Sequence, residues 1–512
     1  MIQKQLQPSI DLMDKINNST HDFNIKVSRT KNHPFNERDL TFVRKNNAYT
    51  FHTTTKIRKG IQKNNELDVK RETEIKLFSN SFSLYSTGKH LILNRISYPD
   101  IDDVPLLKKA EGYFTSITTR KNSFYKKERF YRIMLPLNKQ VRLFGDFTGW
   151  NYSVDGKRMF EPLIKLTISG NEYHFYTHTN KAKENFFIID ATSKLQVKEF
   201  LKIINSILLS YAFLKGDYHG RQAYIFSYSY QNLNIPSSLS TMIMGGEVYG
   251  GFSVHSTKPL SLVKLQDKIK YKKDAEGKII GTDTRWMNKY HVEFPSECFA
   301  KLCELIYTKE GILRAVILFV NNHKASLELK VPTLFVAIEN ITKVLIKKDD
   351  TPALIIEDGI IAEKIQKVIK NTVKEINLIK RTHQPKELNV DEEKAYKANF
   401  SRIENKLYGF NKGSNNQKLS DPFSELGYTL TAEERDLLVK DRNKFLHGDD
   451  YSTDNDYDNE FRELFHISMR LQKLIAVLLL KKSGYSGYIL NNTKIYDYIS
   501  EKTIKEDVFV KI

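Results

Sequence analysis

The chain has 512 residues, of which 40% are hydrophobic and 12% aromatic, and it carries a formal net charge of +19. This length and composition exclude a disordered chain and are sufficient for two to four domains with a large buried core. The charge favours a polyanionic partner, and nucleic acid is the first candidate; the alternative is a Lys-rich composition without any nucleic-acid role.

The cysteine content and the apolar runs indicate where the protein is found. Cys298 and Cys303 are five residues apart on a predicted helix, so they face different directions and suggest neither a disulfide nor a zinc site. The longest apolar run, residues 474–480, is too short to span a bilayer, and the first twenty residues are polar. We therefore expect a cytoplasmic protein that makes no contact with a membrane.

Residues 1–192 are predicted to form a β-rich N-terminal domain. Alternating or aromatic runs recur there, separated by polar, Gly or Asn breaks. The predicted strands are 48–52, 74–77, 81–85, 90–93, 130–135, 141–144, 164–168, 173–176 and 186–189. Nine short strands favour a sandwich or a pair of sheets.

Residues 193–294 are predicted to be a mixed α/β second part of this N-terminal region. Residues 193–214 have helical spacing, and residues 223–228 and 247–254 have strand patterns. Two Gly-Gly pairs, at 245–246 and 250–251, lack the spacing of a phosphate-binding loop, so we interpret them as turns or bulges.

Residues 295–512 are predicted to form an all-α domain, which makes the fold class α+β. Pro332 is expected at a helix start, and the polar, Pro-containing segment 409–427 is expected to be a loop. The predicted helices are 296–308, 311–323, 332–347, 360–380, 391–407, 432–447 and 459–482.

The helix predicted over 432–447 carries the most informative residues. Thr431 and Glu434 form a capping box at its beginning, and Gly448 is a typical terminating residue. At helical spacing one apolar stripe contains Arg442, and Asn443 and His447 lie four apart on the adjoining face. The apolar members of the stripe are Leu438, Val439, Phe445 and Leu446.

Arg442, Asn443 and His447 combine a fixed cation, an amide and a titratable base. His titrates near neutral pH and exchanges protons with a hydroxyl, while Arg binds a phosphate through two donors. A similar spacing between an Arg and a His occurs at Arg285 and His291. The neighbouring residues, and not the spacing, therefore distinguish the Arg442–His447 pair from this second pair. The alternative is that Arg442 and His447 are ordinary basic residues of a helix C-terminus, where the helix dipole favours them, with Asp441 as a structural partner.

The segment Arg442-Asn443-x-x-x-His447 resembles the signature of HEPN-domain ribonucleases. The similarity extends over residues 295–490, with weaker matches at 335–340, which contain Glu339, and at 484–488. HEPN domains are helical bundles that dimerise and bring two motifs into one RNA-cleaving cleft. Of the HEPN proteins, the ApeA-type anti-phage defence proteins are the group that this chain resembles in its long β-rich N-terminal region.

The resemblance implies a metal-independent endoribonuclease that cleaves cellular RNA, with tRNA as one substrate, through attack by the 2′-OH. His447 would transfer protons, Arg442 would stabilise the transition state and Asn443 would orient His447 or the scissile phosphate. Glu339 would be an acidic helper; its alternative is a boundary charge on an amphipathic helix. No metal or cofactor is expected.

At the level of the whole protein, the resemblance implies a homodimer through the C-terminal bundle and a toxin-like, abortive-infection effector with a phage-derived trigger. The competing hypothesis is a non-catalytic nucleic-acid- or protein-binding module with a degenerate HEPN-like bundle.

Overall fold

The computed structural model describes residues 2–17, 22–26, 39–45, 48–56, 73–78, 83–91, 107–119, 124–141, 143, 145–151, 163–220, 222–257, 270–283, 288–345, 358–385, 389–409, 415–442, 445 and 457–512. The chain divides into two compact units. The first contains Met1–Ala325 and Leu479–Ile512, and the second contains Ser326–Leu478. The helical series that begins after Pro295 therefore contributes its first helices to the first unit.

The first unit is organised around a continuous series of paired strands. Their bounds are β1 (Asp22–Lys26), β2 (Asp39–Lys45), β3 (Ala48–Lys56), β4 (Thr73–Phe78), β5 (Ser83–Leu91), β6 (Leu107–Thr119), β7 (Phe130–Leu137), β8 (Trp150–Asn151), β9 (Leu163–Ile168), β10 (Asn171–Thr179), β11 (Asn185–Ala191), β12 (Gln222–Tyr228) and β13 (Ser238–Ile243). Neighbours pair in the order β3-β2-β1-β4-β5-β6-β13-β12-β7-β11-β10-β9-β8, and β3 also pairs with β6.

The long strand β6 explains why the sheet is continuous. Its residues from Leu107 to Phe114 pair with β3, whereas its residues from Ser116 to Thr118 pair with β13. One strand that changes partner along its length joins the two parts, so the predicted sandwich or pair of sheets is wrong. The predicted β-rich N-terminal region and the α+β class are confirmed.

Two helices cover opposite faces of the part of this sheet that contains β13, β12, β7 and β11. Helix α1 (Ile2–Asn17) was not predicted, although Leu6, Ile10 and Met13 have helical spacing and are buried against the sheet. Helix α2 (Val197–Lys215), predicted at 193–214, packs on the other face, where Phe200 stacks on Tyr131 at 5.3 Å between ring centroids. Strand side chains alternate between faces, and successive buried residues therefore reach different helices.

The remaining elements of the first unit are short. They are β14 (Lys270–Lys273), β15 (Ile279–Asp283), α3 (Ser296–Thr308), α4 (Glu310–Asn321), β16 (Tyr488–Leu490), α11 (Asn492–Ile495), α12 (Asp497–Ser500) and β17 (Phe509–Lys511). The strand predicted over 247–254 is wrong, because only Val248 forms a bridge, to Tyr218, and Gly250 has a φ of +75°. Part of the strand predicted at 141–144 lies outside the described residues.

The second unit is helical. Its elements are α5 (Leu327–Leu345), α6 (Gly359–Thr382), α7 (Val390–Tyr408), α8 (Asn415–Glu425), α9 (Ala432–Asp436), a π-helical turn (Leu437–Asp441) and α10 (Tyr457–Lys482), whose last residues belong to the first unit. None of the described helices is long and apolar enough to cross a membrane.

Two predictions for the segments that precede the motif helix are wrong. Pro332 lies inside α5, which begins five residues earlier at Leu327. The predicted loop 409–427 contains α8, because Leu419 and Phe423 are four residues apart and both buried. This apolar pair outweighs the polar and Pro-containing composition that favoured a loop.

Candidate functional site

The helix that carries the motif begins as the sequence predicts. The Glu434 backbone N–H donates to Thr431 Oγ1 at 3.1 Å, and the Thr431 N–H donates to Glu434 Oε2 at 3.0 Å. This reciprocal pair satisfies two backbone donors that the first helical turn leaves without a partner. The capping box thus fixes the beginning of the motif helix.

The Glu434 side chain also has a buried partner on α10. Its Oε1 lies 2.8 Å from Lys473 Nζ, and the two side chains are 0% and 2% exposed. Tyr428 donates a further hydrogen bond to Glu434 at 3.1 Å. A charge in such surroundings is tolerated only when it is paired and hydrogen-bonded, so these contacts act as one unit.

The adjacent Glu433 makes a second connection to the same helix. Arg470 donates to Glu433 at 2.9 Å, and the His466 ring nitrogen Nε2 lies 2.8 Å from the same carboxylate. His466 and Arg470 are buried, whereas Glu433 is more than half exposed. The sequence motifs did not indicate these residues, although polar residues at 466, 470 and 473 interrupt an apolar run with helical spacing.

The motif helix changes its winding before it reaches Arg442. Residues Leu437–Asp441 form a π-helical turn, and the Arg442 N–H bonds to the carbonyl of Leu437, five residues back. The prediction of regular α-helix is wrong in this turn. The extra residue rotates the following side chains relative to the buried Leu437 and Leu438, and such turns occur frequently at functional sites.

Arg442 is paired with Glu339 of α5. Its Nε and Nη2 both lie 2.5 Å from Glu339 Oε1, and the Arg442 and Glu339 side chains are 19% and 35% exposed. One turn away on each helix, Phe335 packs against Phe445 with 5.9 Å between ring centroids. An aromatic contact and an ion pair therefore connect α5 to the motif helix at neighbouring positions.

The structure brings together two of the four predicted site residues, Arg442 and Glu339. Asn443 and His447 lie outside the described residues, as does Gly448. Within the part of the chain that the structure describes, no group of three or more His, Cys, Asp or Glu side chains is arranged to hold a metal ion.

Comparison with protein families identifies this part of the chain. Residues 340–487 match the family model described as Apea-like HEPN. The match contains Arg442, Asn443 and His447, and it begins immediately after Glu339. Searches among curated proteins and solved structures returned no significant match. Residues 340–487, which hold the Arg442 motif, are therefore an Apea-like HEPN domain.

Proposed function

We propose that this protein is a metal-independent endoribonuclease that acts as an anti-phage, abortive-infection effector in the cytoplasm. The observation that carries the proposal is the Arg442-Asn443-x-x-x-His447 motif within a domain of a family generally associated with RNase activity. The net charge of +19 suits a nucleic-acid substrate. Cellular RNA, with tRNA as the first candidate, is the proposed substrate.

The proposed reaction is an internal transesterification. His447 accepts the proton of a ribose 2′-OH, and the 2′-oxygen forms a bond to the adjacent phosphorus. The bond from phosphorus to the 5′-oxygen breaks, and that oxygen takes up a proton. The products are a 2′,3′-cyclic phosphate and a 5′-hydroxyl, so atoms and protons balance without any further reactant. DNA lacks the nucleophile and is not cleaved.

Arg442 supplies positive charge at the phosphorus. Negative charge increases on the phosphate oxygens as the new bond forms, and a guanidinium already in place stabilises it. Glu339 is the proposed positioning residue, because its contacts with Nε and Nη2 fix the plane of that guanidinium. Asn443 orients His447 or the scissile phosphate.

The proposed active form is a homodimer. Each motif has one His, whereas the reaction needs one group that accepts a proton and one that donates a proton. A two-fold dimer of the C-terminal bundle would place two motifs in one cleft and supply both groups.

A second candidate function is a non-catalytic binding module. The observation that favours it is the Arg442–Glu339 pair itself, since a carboxylate at 2.5 Å neutralises the cation and connects two helices. In that case Arg442 is a structural residue, and the protein binds RNA or another partner without cleaving it.

The test is RNA cleavage by the purified full chain, with total RNA and tRNA as substrates. The proposed function requires cleavage products that end in a 2′,3′-cyclic phosphate, and it requires that Arg442→Ala and His447→Ala each abolish them while the circular dichroism spectrum is unchanged. Toxicity on overexpression should disappear in the same variants. Full activity in either folded variant contradicts the assigned site.

Two matched controls are available. Arg435→Ala removes an exposed Arg from the same helix, and His383→Ala removes an exposed His from the end of α6. Both should cleave RNA at the wild-type rate. Wild-type protein that binds RNA and yields no cyclic phosphate would favour the non-catalytic module.

A further inference from the structure

Helix α6 carries a row of exposed cations outside its apolar side. Half-buried or buried apolar residues, among them Ile369 and Val373, lie on one side of α6, and Tyr396 of α7 donates to the Lys380 carbonyl at 3.1 Å. A sector centred roughly 110° from Ile369 and Val373, at about 100° per residue, contains what we call the basic stripe. The basic stripe consists of Lys367, Lys370, Lys374 and Arg381, all of them exposed.

The basic stripe is a line and not a scattered set. The four residues fall within a sector of roughly 60° and extend over about 21 Å, from the helical rise of about 1.5 Å per residue. Lys367 and Lys370 are three apart, and Lys370 and Lys374 are four apart, so these three cations have like charges as neighbours on the helix, whereas Arg381 follows Lys374 by seven residues. Such neighbours destabilise a helix unless a counter-charge is present.

No described carboxylate supplies that counter-charge. Glu363 and Glu375 are the acidic residues of α6 and are exposed, and Glu363 lies in the same sector, four residues before Lys367. Among the residues that the structure describes, neither carboxylate is within ion-pair distance of a stripe residue. Over its whole length α6 has six Lys or Arg and two Glu, which gives 6 − 2 = +4.

The neighbouring helix shows what an ordinary solvated face of this chain looks like. Helix α7 has four Lys or Arg and four Asp or Glu, a net charge of 4 − 4 = 0, and Lys397 pairs with Glu393 at 2.6 Å one turn away. The two helices are similar in length and exposure and differ in charge balance. The excess is therefore a feature of α6 and not of the hairpin.

We infer that the basic stripe of α6 is a docking surface for the sugar–phosphate backbone of single-stranded RNA, separate from the Arg442 motif. This inference rests on the proposed function for its choice of RNA as the partner. A straight row of flexible cations without an aromatic member contacts phosphates along a strand and does not read bases. The same row has no way to recognise the 2′-OH, so it binds single-stranded DNA equally well.

This lack of recognition permits a test that does not depend on cleavage. The probes are a fluorescent single-stranded DNA of about 20 nucleotides and the same sequence as 2′-O-methyl RNA, which exceed one typical single-strand site. Neither probe has a free 2′-OH, so neither can be cut. Binding to the full-length chain is measured by anisotropy over a series of salt concentrations.

The variant replaces Lys367, Lys370, Lys374 and Arg381 with Gln, which removes the charge, keeps helix propensity and retains an unbranched polar side chain. The slope of log Kd against log salt should fall by up to about 2.8, from about 0.7 per phosphate contact on a single strand. At about 0.1 M salt the affinity should fall at least tenfold. The double variant Lys367→Gln/Lys374→Gln should lower the slope by about half as much.

The matched control replaces four cations of α7, Lys394, Lys397, Arg402 and Lys406, with Gln. It changes the net charge by the same four units, so it should preserve the slope if the location of the charge matters. An equal change in both variants, or no change in either, overturns the inference. Loss of binding to phosphatidylserine vesicles with unchanged nucleic-acid binding would also overturn it and identify a membrane surface as the partner.

The failure of this inference is distinguishable from failure of the proposed function. A protein that cleaves RNA but whose α6 variant keeps the wild-type salt slope refutes the docking surface alone. A protein whose slope falls as expected but that yields no cyclic phosphate retains the docking surface and loses the nuclease.

Discussion

Replacing Glu339 with Gln separates a positioning role from a purely structural one. Gln has the same shape and keeps a carbonyl acceptor for Arg442, so the charged guanidinium still donates, but the carboxylate charge is lost. The difference is the attraction between two opposite charges, which amounts to about 0.2–1 kcal/mol for exposed pairs and more for buried ones. Since Glu339 is 35% exposed, solvent reduces the difference. We expect the free energy of unfolding to fall by about 1 kcal/mol.

The effect on cleavage should be larger than the effect on stability. If Glu339 fixes the plane of a guanidinium that acts in the transition state, a displaced guanidinium lowers kcat by on the order of 10- to 100-fold. The value of kcat/KM should fall by the same factor, because the lost interaction is made only in the transition state. Single-turnover cleavage of a labelled RNA and urea unfolding of the same preparation measure the two quantities.

Glu375→Gln is the matched control, since Glu375 is an exposed Glu on α6 of the same domain. It should leave both the rate and the stability near their wild-type values. A Glu339→Gln protein that is about 1 kcal/mol less stable but cleaves within twofold of the wild-type rate would refute the positioning role.

Three further predictions concern the metal, the assembly and the pH dependence. Cleavage should continue in excess EDTA, because the proposed proton transfers need no Lewis acid; a strict requirement for magnesium would contradict this mechanism. Light scattering should show a dimer, and heterodimers of Arg442→Ala with His447→Ala should regain activity only if the two motifs share one cleft; a monomer that cleaves RNA would refute the assembly. Burial lowers the pKa of His219 to about 4 and that of His255 to about 3, so both are neutral in the folded protein. Their unfolded pKa is about 6.5, and stability should therefore be constant above that pH and decline below it, by about 2 kcal/mol per His at pH 5 as an upper bound. Urea unfolding at pH 7 and pH 5 measures this decline, which His219→Phe should reduce by about half. A decline that His219→Phe leaves unchanged would show that this imidazole is solvated in the folded protein.

Local signals predicted much of the helical region correctly. The capping box at Thr431 and Glu434 forms as expected, because it needs only residues three apart. The beginnings of α6 and α7 are likewise set by Asp358 and Asn389, whose side chains accept from the next backbone N–H groups. Such features depend on short-range geometry, which sequence patterns encode directly.

Long-range pairing is the part that sequence patterns did not encode. Nothing in the composition of β6 indicates that its two ends pair with β3 and with β13. The position of α3 is similar: Phe299 contacts Phe147 at 4.9 Å and Phe175 at 6.4 Å, residues more than a hundred positions earlier. A domain boundary at residue 295 would separate these rings, although the hydrophobic pattern of the sequence clearly changes to helical spacing at that residue.

The candidate site shows the same division between local signals, which the sequence encodes, and long-range contacts, which it does not. The sequence identified Arg442 from its neighbours, and it named Glu339 only through resemblance, because the two are 103 residues apart. The π-helical turn before Arg442 has no pattern of its own. It occurs where the helix buries Leu437 and Leu438 on one side and contacts α5 on the other.

The two sets of contacts along the motif helix should respond differently to mutation. Glu434 and Lys473 are fully desolvated, so removing either one leaves an uncompensated buried charge, at a cost of about 3–5 kcal/mol. Loss of activity in such a variant would report loss of structure. The Arg442–Glu339 pair is partly exposed, and its loss leaves both charges accessible to water. A change at Glu339 can therefore alter the chemistry while the helix remains folded, and this makes the half-buried pair the informative place to probe the site.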